Sequence, residues 1–201
     1  MVDEKNGKEP GLLAQAKLIL FLAVFFGCSL AGVEIALGPR IRENKRNETF
    51  SQIPSLVPGG SSARSREERV GGIRVIRVLD EEGRQVGWVL PASGQGFADR
   101  IELLVGLDRE ARRITGLYVL DQKETPGLGD YIKSEERFRK YFAGQPADRP
   151  LKVVKREPKP GSGEIKALTG ATISSTSVCQ IVNQAVRTFR KALGGPGKER
   201  G

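Results

Sequence analysis

Histidine is missing from this chain altogether. Without imidazole there is no His general base, no His-ligated metal and no haem held by a His axial ligand. Cysteine is nearly as scarce, with only Cys28 and Cys179 among 201 residues. Two thiols cannot by themselves complete a Cys-only zinc or iron–sulfur site. Cys28 lies in an apolar run and Cys179 in a C-terminal helical pattern, so a disulfide between them is not expected. No Gly-rich turn joins a strand to a helix with an acid at the distance a dinucleotide fold requires. Aromatics make up 6%, and the 33 Lys and Arg are scattered among 24 Asp and Glu, for a net charge of +9. A basic stripe with stacking rings is therefore lacking, and nucleic acid is not expected as a partner. No internal repeat is visible. Any redox chemistry here must be carried by an organic cofactor, and no residue set is assigned a catalytic or metal-ligating role.

The first feature present is a hydrophobic run. Leu18–Val33 holds sixteen residues without a charge, and continuing past Glu34 to Leu37 gives the roughly 20 apolar residues of a spanning helix. A cleaved signal peptide has a comparable core and is the alternative. Lys5, Lys8 and Lys17 precede the run while Arg40, Arg42, Lys45 and Arg46 follow it, a bias of one residue toward placing the C-terminal side in the cytoplasm. The expected organisation is a cytoplasmic tail over 1–16, a transmembrane helix over 17–38, a juxtamembrane segment and tether over 39–72, a folded domain over 73–194 and a tail over 195–201. Pro54, Pro58, Gly59-Gly60-Ser61-Ser62 and Gly71-Gly72 give the tether its loop character.

From Ile73 the pattern is that of strands. Ile73–Leu79 and Gln85–Leu90 flank a hairpin signal at Asp80–Gly83, and Ile101–Leu107 and Ile114–Leu120 flank Asp108–Arg113. A short helix is expected over Ser134–Phe142 and a strand over Leu151–Lys155. The fold class is α+β, with one N-terminal transmembrane helix and a mainly antiparallel sheet flanked by helices.

Two loops stand out. Thr169-Gly170-Ala171-Thr172-Ile173-Ser174-Ser175 runs into an amphipathic helix with apolar residues at 178, 181, 182, 185, 186, 189, 192 and 193. Ser174, Ser175 or Thr176 can cap its start, and Gly194-Gly195-Pro196 ends it. Small residues at a helix N-terminus suit a phosphate, because free N–H groups and the positive dipole end converge there, although an ordinary capped helix start looks the same. Glu124-Thr125-Pro126-Gly127-Leu128-Gly129 suits a type II turn. It would present Leu128 either to a planar apolar ligand or back to the core.

Together these segments resemble the FMN-binding G subunit of Rnf electron-transport complexes, and more distantly the C subunit of the sodium-pumping NADH:quinone reductase. The likeness runs through Ile53-Pro54…Val57-Pro58-Gly59, Gly87-Trp88-Val89, Gly94–Phe97, Ile101–Asp108, Glu124–Gly129 and Thr169–Ser175. It implies FMN joined covalently to the second threonine of the Thr-Gly-Ala-Thr motif, Thr172, through a phosphoester installed from FAD by a flavin transferase. It also implies that Thr169, Gly170, Ala171, Ser174 and Ser175 surround the phosphate. Glu124, Thr125, Pro126, Gly127, Leu128 and Gly129 would line the flavin, Leu128 against the ring. An acid usually precedes the motif by three residues; here Lys166 stands there, with Glu164 two residues earlier as a substitute, or with Lys166 itself pairing with the phosphate. The implied protein is an electron-relaying component with no substrate pocket of its own, in a complex coupling ferredoxin/NAD electron transfer to Na⁺ or H⁺ translocation. Its partners are further membrane, iron–sulfur and flavin subunits. It sits in the inner (cytoplasmic) membrane as a single-pass protein with its soluble domain on the extracytoplasmic side, against the slight charge bias. A quinone-reductase-like or stand-alone FMN carrier, or a non-redox membrane-tethered binding module, are the alternatives.

Overall fold

The computed structural model describes residues 11–194, so most of the expected N-terminal tail and all of the expected C-terminal tail over 195–201 lie outside the described residues. The chain divides at Lys45/Arg46 into two units. Helix α1 (Leu12–Ser51) contains the apolar run, and among the described residues it is the one helix long and apolar enough to cross a membrane. Pro39 lies inside it. Cys28 is exposed on this helix and, like Cys179, is a free thiol.

The second unit is built on a five-stranded antiparallel meander: β1 (Arg66–Val70), β2 (Ile73–Leu79), β3 (Gln85–Gln95), β4 (Arg100–Asp108) and β5 (Ile114–Asp121), in that spatial order. Strand β4, Arg-Ile-Glu-Leu-Leu-Val-Gly-Leu-Asp, is apolar on both faces because both faces are covered. Ile101, Leu103, Val105 and Leu107 point to the larger core, which the C-terminal helix α3 (Thr172–Gly194) closes with Val178, Cys179, Val182, Val186 and Phe189. Phe189 meets Trp88 edge to face, ring centroids 5.2 Å apart.

Leu104 points the other way, into a smaller core with Ile76, Val78 and Val89 that is sealed by Ile53, Leu56 and Val57. The expected tether is therefore structural. Residues 53–56 form a short helix, α2 (Ile53–Leu56), which Pro54 helps to start, and Arg66–Val70 form the edge strand β1. Paired glycines allow this packing: a Cβ at Gly106 would lie 2.4 Å from the Leu56 carbonyl, and one at Gly116 would lie 3.2 Å from it. The Thr115 hydroxyl donates to the same carbonyl at 2.6 Å. The apolar residues at 53, 56 and 57 do not read as core in the sequence because they sit among prolines, glycines and serines.

In place of the expected helix over 134–142 the chain makes turns, with one 3₁₀ turn just before the segment, Gly129–Lys133, and one within it, Arg139–Tyr141. Phe138 and Phe142 are both fully buried and meet edge to face at 5.3 Å, so core packing and a few turn hydrogen bonds, such as the Phe138 N–H to the Ser134 carbonyl at 3.1 Å, fix this segment. The expected strand at 151–155 shortens to β6 (Lys152–Val154), parallel to β7 (Glu164–Lys166). Strand β7 leads straight to the Thr-Gly-Ala-Thr loop.

Candidate functional site

Helix α3 begins at Thr172, two to four residues earlier than Ser174, Ser175 and Thr176, the residues expected to cap it. Its first backbone bond runs from the Ser175 N–H to the Ala171 carbonyl, 3.1 Å. The N–H groups of Thr172, Ile173 and Ser174 thus precede the helical ladder, as helix geometry requires. The serines sit within the first turn and are committed to other partners. The Ser175 hydroxyl, fully buried, donates to the Ala171 carbonyl at 2.9 Å and accepts the Leu168 N–H at 3.0 Å. The Ser174 hydroxyl, also buried, donates to Glu124 Oε2 at 2.5 Å. The Thr176 hydroxyl donates to the Thr172 carbonyl at 2.8 Å. Thr172 itself is exposed, and its hydroxyl has no hydrogen-bond partner among the described residues. Thr169 and Gly170 are exposed beside it, while Ala171 is buried.

The second loop folds as its sequence dictates. The Leu128 N–H donates to the Thr125 carbonyl at 3.2 Å and Gly127 holds φ +75°, giving a type II turn with Pro126 and Gly127 at its corners. The Asp130 N–H reaches the same carbonyl at 3.3 Å. Thr125, Pro126 and Gly127 are exposed or partly so, and Leu128 is 45% exposed rather than tucked into the core. The two loops meet at Gly170, whose φ is +80° and where a Cβ would lie 2.9 Å from Leu128 Cδ2. Leu128 therefore lies over a glycine two residues before Thr172. Glu124 and Gly129, by contrast, are buried beneath the turn.

Neither residue upstream of the motif points its charge at this surface freely. The Lys166 ammonium pairs with Glu157; that bond raises the Lys166 pKa and holds the Glu157 carboxyl below its ordinary range. Glu164 accepts the Lys159 N–H at 3.3 Å and pairs with Arg156 at 2.5 Å, and the two keep its carboxyl below the usual range. Both residues thus brace the 155–163 loop.

The site is open surface. The concavity of about 240 Å³ between Pro146–Leu151 and α3 reaches only as far up the helix as Asn183. That is three turns, or about 16 Å of rise, below Thr172.

One exposed ring was not among the expected site residues. Phe97, 59% exposed, is carried by the 96–99 loop, which is fastened to Glu124 through the Ala98 N–H at 3.1 Å. Its sequence neighbours, Gly96 before and Ala98-Asp99 after, mark a turn, but nothing in them announces a link across 26 residues.

The antiparallel meander is thus closed by one long helix, with a free threonine hydroxyl at that helix's start and a leucine-bearing turn against it. Residues 96–187 match the family model described as FMN-binding domain. The likeness runs to the G subunits of ion-translocating oxidoreductase complexes. The chain is 35% identical over 116 residues to the G subunit of the Na(+)-translocating ferredoxin:NAD(+) oxidoreductase complex of Acetobacterium woodii, covering 57% of this chain and 55% of that one. It is 33% identical over 127 residues to the proton-translocating counterpart from Clostridium ljungdahlii, covering 63% and 66%. The matched stretch thus spans between about half and two thirds of these relatives. The crystal structure of the C subunit of Na(+)-translocating NADH-quinone reductase from Parabacteroides distasonis shares the fold, with a TM-score of 0.57 at 17% identity over 77% of this chain and 96% of that one.

Proposed function

We infer that this chain is a membrane-anchored flavoprotein that carries FMN as a phosphoester on Thr172 and relays electrons within an Rnf-type ion-translocating complex. The observation that carries this is the exposed, unpartnered Thr172 hydroxyl at the first position of a 23-residue helix, with Leu128 laid over Gly170 beside it. The residues fit the group. The Thr172, Ile173 and Ser174 N–H groups and the helix dipole favour phosphate oxygens. Gly170 leaves room for a close approach, and Leu128 offers an apolar face to a flat ring. Bound FMN would supply electron storage and transfer.

The chain's own part is positional. Ser174 and Ser175 hold the first turn of α3 from below, so their roles are in shaping the loop, while Thr169, Gly170 and Ala171 form its rim. Thr125, Pro126 and Gly127 hold Leu128 outward. A flavin transferase acting on FAD would place the FMN phosphoryl group on the Thr172 oxygen, with AMP leaving and the hydroxyl proton lost to solvent. A covalent link suits a relay, since the carrier does not dissociate between turnovers. The relatives named as complex subunits support an assembly with membrane, iron–sulfur and flavin partners that couples ferredoxin/NAD electron flow to Na⁺ or H⁺ movement. Helix α1 supports insertion in the cytoplasmic membrane, and the family likeness supports an extracytoplasmic domain.

Producing the full chain together with its flavin transferase and weighing it intact tests the attachment. The expected result is one added FMN on the wild type and none on Thr172→Val, with unchanged far-ultraviolet circular dichroism. Purification with its neighbours then separates the assemblies: iron–sulfur subunits with ferredoxin-dependent NAD reduction mark the Rnf type.

A further inference from the structure

Glu124 heads the second motif, yet only 4% of it is exposed. Its carboxyl instead reaches two distant segments. Oε2 accepts the Ser174 hydroxyl at 2.5 Å across 50 residues, and Oε1 accepts the Ala98 N–H at 3.1 Å. Its own N–H donates to Gln122 Oε1 at 2.5 Å. Two glycines make room for this arrangement: a Cβ at Gly96 would lie 2.3 Å from Glu124 Oε1, and one at Gly129 would lie 2.9 Å from both Glu124 Cβ and Ser174 Oγ. No cation among the described residues pairs with Glu124; adjacent Lys123 turns to Asp99 at 3.4 Å.

A buried carboxyl is a poor device for stability alone. Desolvating it costs free energy, and apolar replacements of buried polar clusters are often neutral or stabilising. What the cluster does achieve is a fixed relation among three segments: the 96–99 loop, the 125–129 turn and the first turn of α3. Each presents one large exposed apolar side chain, Phe97 at 59%, Leu128 at 45% and Ile173 at 60%. Single exposed apolar residues are ordinary. Three on segments fastened to one carboxyl, with Ile173 next to the exposed Thr172 and Leu128 over Gly170, call for a common reason.

We propose that Glu124 is a positioning residue for the flavin: through Ser174 and Ala98 it fixes an apolar frame of Phe97, Leu128 and Ile173 around Thr172, and Phe97 is a ring contact. The proposal rests on the FMN reading above. Glu124 does not touch the cofactor; it sets where the groups that do touch it stand. Ser174→Ala removes one of its ties. Glu124→Gln preserves both, because the amide oxygen accepts from Ala98 while the amide NH₂ donates to the Ser174 oxygen.

The test uses full-length, flavin-loaded protein in four forms: wild type, Glu124→Gln, Ser174→Ala and Phe97→Ala. Intact mass reads attachment, far-ultraviolet circular dichroism reads the fold, and visible circular dichroism reads the asymmetry imposed on the bound ring. Ser174→Ala and Phe97→Ala are expected to keep one FMN and a native fold while losing most of the visible signal, with Glu124→Gln retaining it. Phe97 is a surface side chain, so its variant reads the frame even if Ser174→Ala unfolds. Full attachment with an unchanged visible spectrum in Phe97→Ala, or in a folded Ser174→Ala, overturns the proposal while leaving the FMN reading intact. Absence of FMN from the wild type overturns both, and the mass shows which case holds.

Discussion

Gly170 holds φ +80° with Leu128 Cδ2 2.9 Å from where a Cβ would stand, so a single methyl group there acts twice. Gly170→Ala strains a left-handed backbone and pushes Leu128 away, and is expected to cost about 1–2 kcal/mol in urea unfolding. It should also alter the spectrum of bound flavin; an unchanged spectrum would remove Leu128 from the ring site. Deeper in the fold, Phe189 is fully buried against Trp88, and Phe189→Ala should cost about 3–5 kcal/mol in the same assay. Cys179 is 3% exposed, and burial pushes its thiol up to about 12 from a reference near 9.0. Thiol reagents at pH 8 should therefore modify Cys179 only after unfolding, and modification of the native protein at the denatured rate contradicts this packing. The sign for stability follows. Below pH 9 both states keep the thiol proton, whereas between pH 9 and about 12 only the unfolded chain releases it, so this contribution fades as pH rises through that window.

Helix α3 and the strands show which elements a sequence can disclose. Strand β2 has the bounds its alternation suggests, Ile73–Leu79, because each of its faces meets a different core. The face of α3 at 178, 182, 186 and 189 was legible from its 3.6-residue spacing. Its start was not, because Thr-Ile-Ser-Ser-Thr reads as capping residues, and tertiary bonds from Ser174 and Ser175 draw those hydroxyls into the first turn. Both motif loops were visible from composition; the carboxyl that joins them was not, since sequence spacing carries no trace of a contact across 50 residues. Residues 46–72 were harder still to read. Ile53, Leu56 and Val57 cover the second face of the sheet from inside a Pro- and Gly-rich stretch. A fragment beginning at Arg46 should accordingly unfold cooperatively, while one beginning at Ile73 should lose its sharp thermal transition and bind a hydrophobic dye. Equal melting of the two fragments would show that α2 and β1 are dispensable.

For the molecule as a whole, the division at Lys45/Arg46 separates a helix with the composition of a membrane span from a domain with two cores on one sheet. The full chain should remain with the bilayer through alkaline carbonate extraction, and a fragment from Arg46 should be released. Among these tests, the mass of the intact chain made alongside its flavin transferase bears most directly on the account. A single FMN added to the wild type, located by fragmentation to Thr172 and lost in Thr172→Val, is the expected result. An unmodified wild-type mass, or FMN that persists on the Thr172→Val chain, would contradict it.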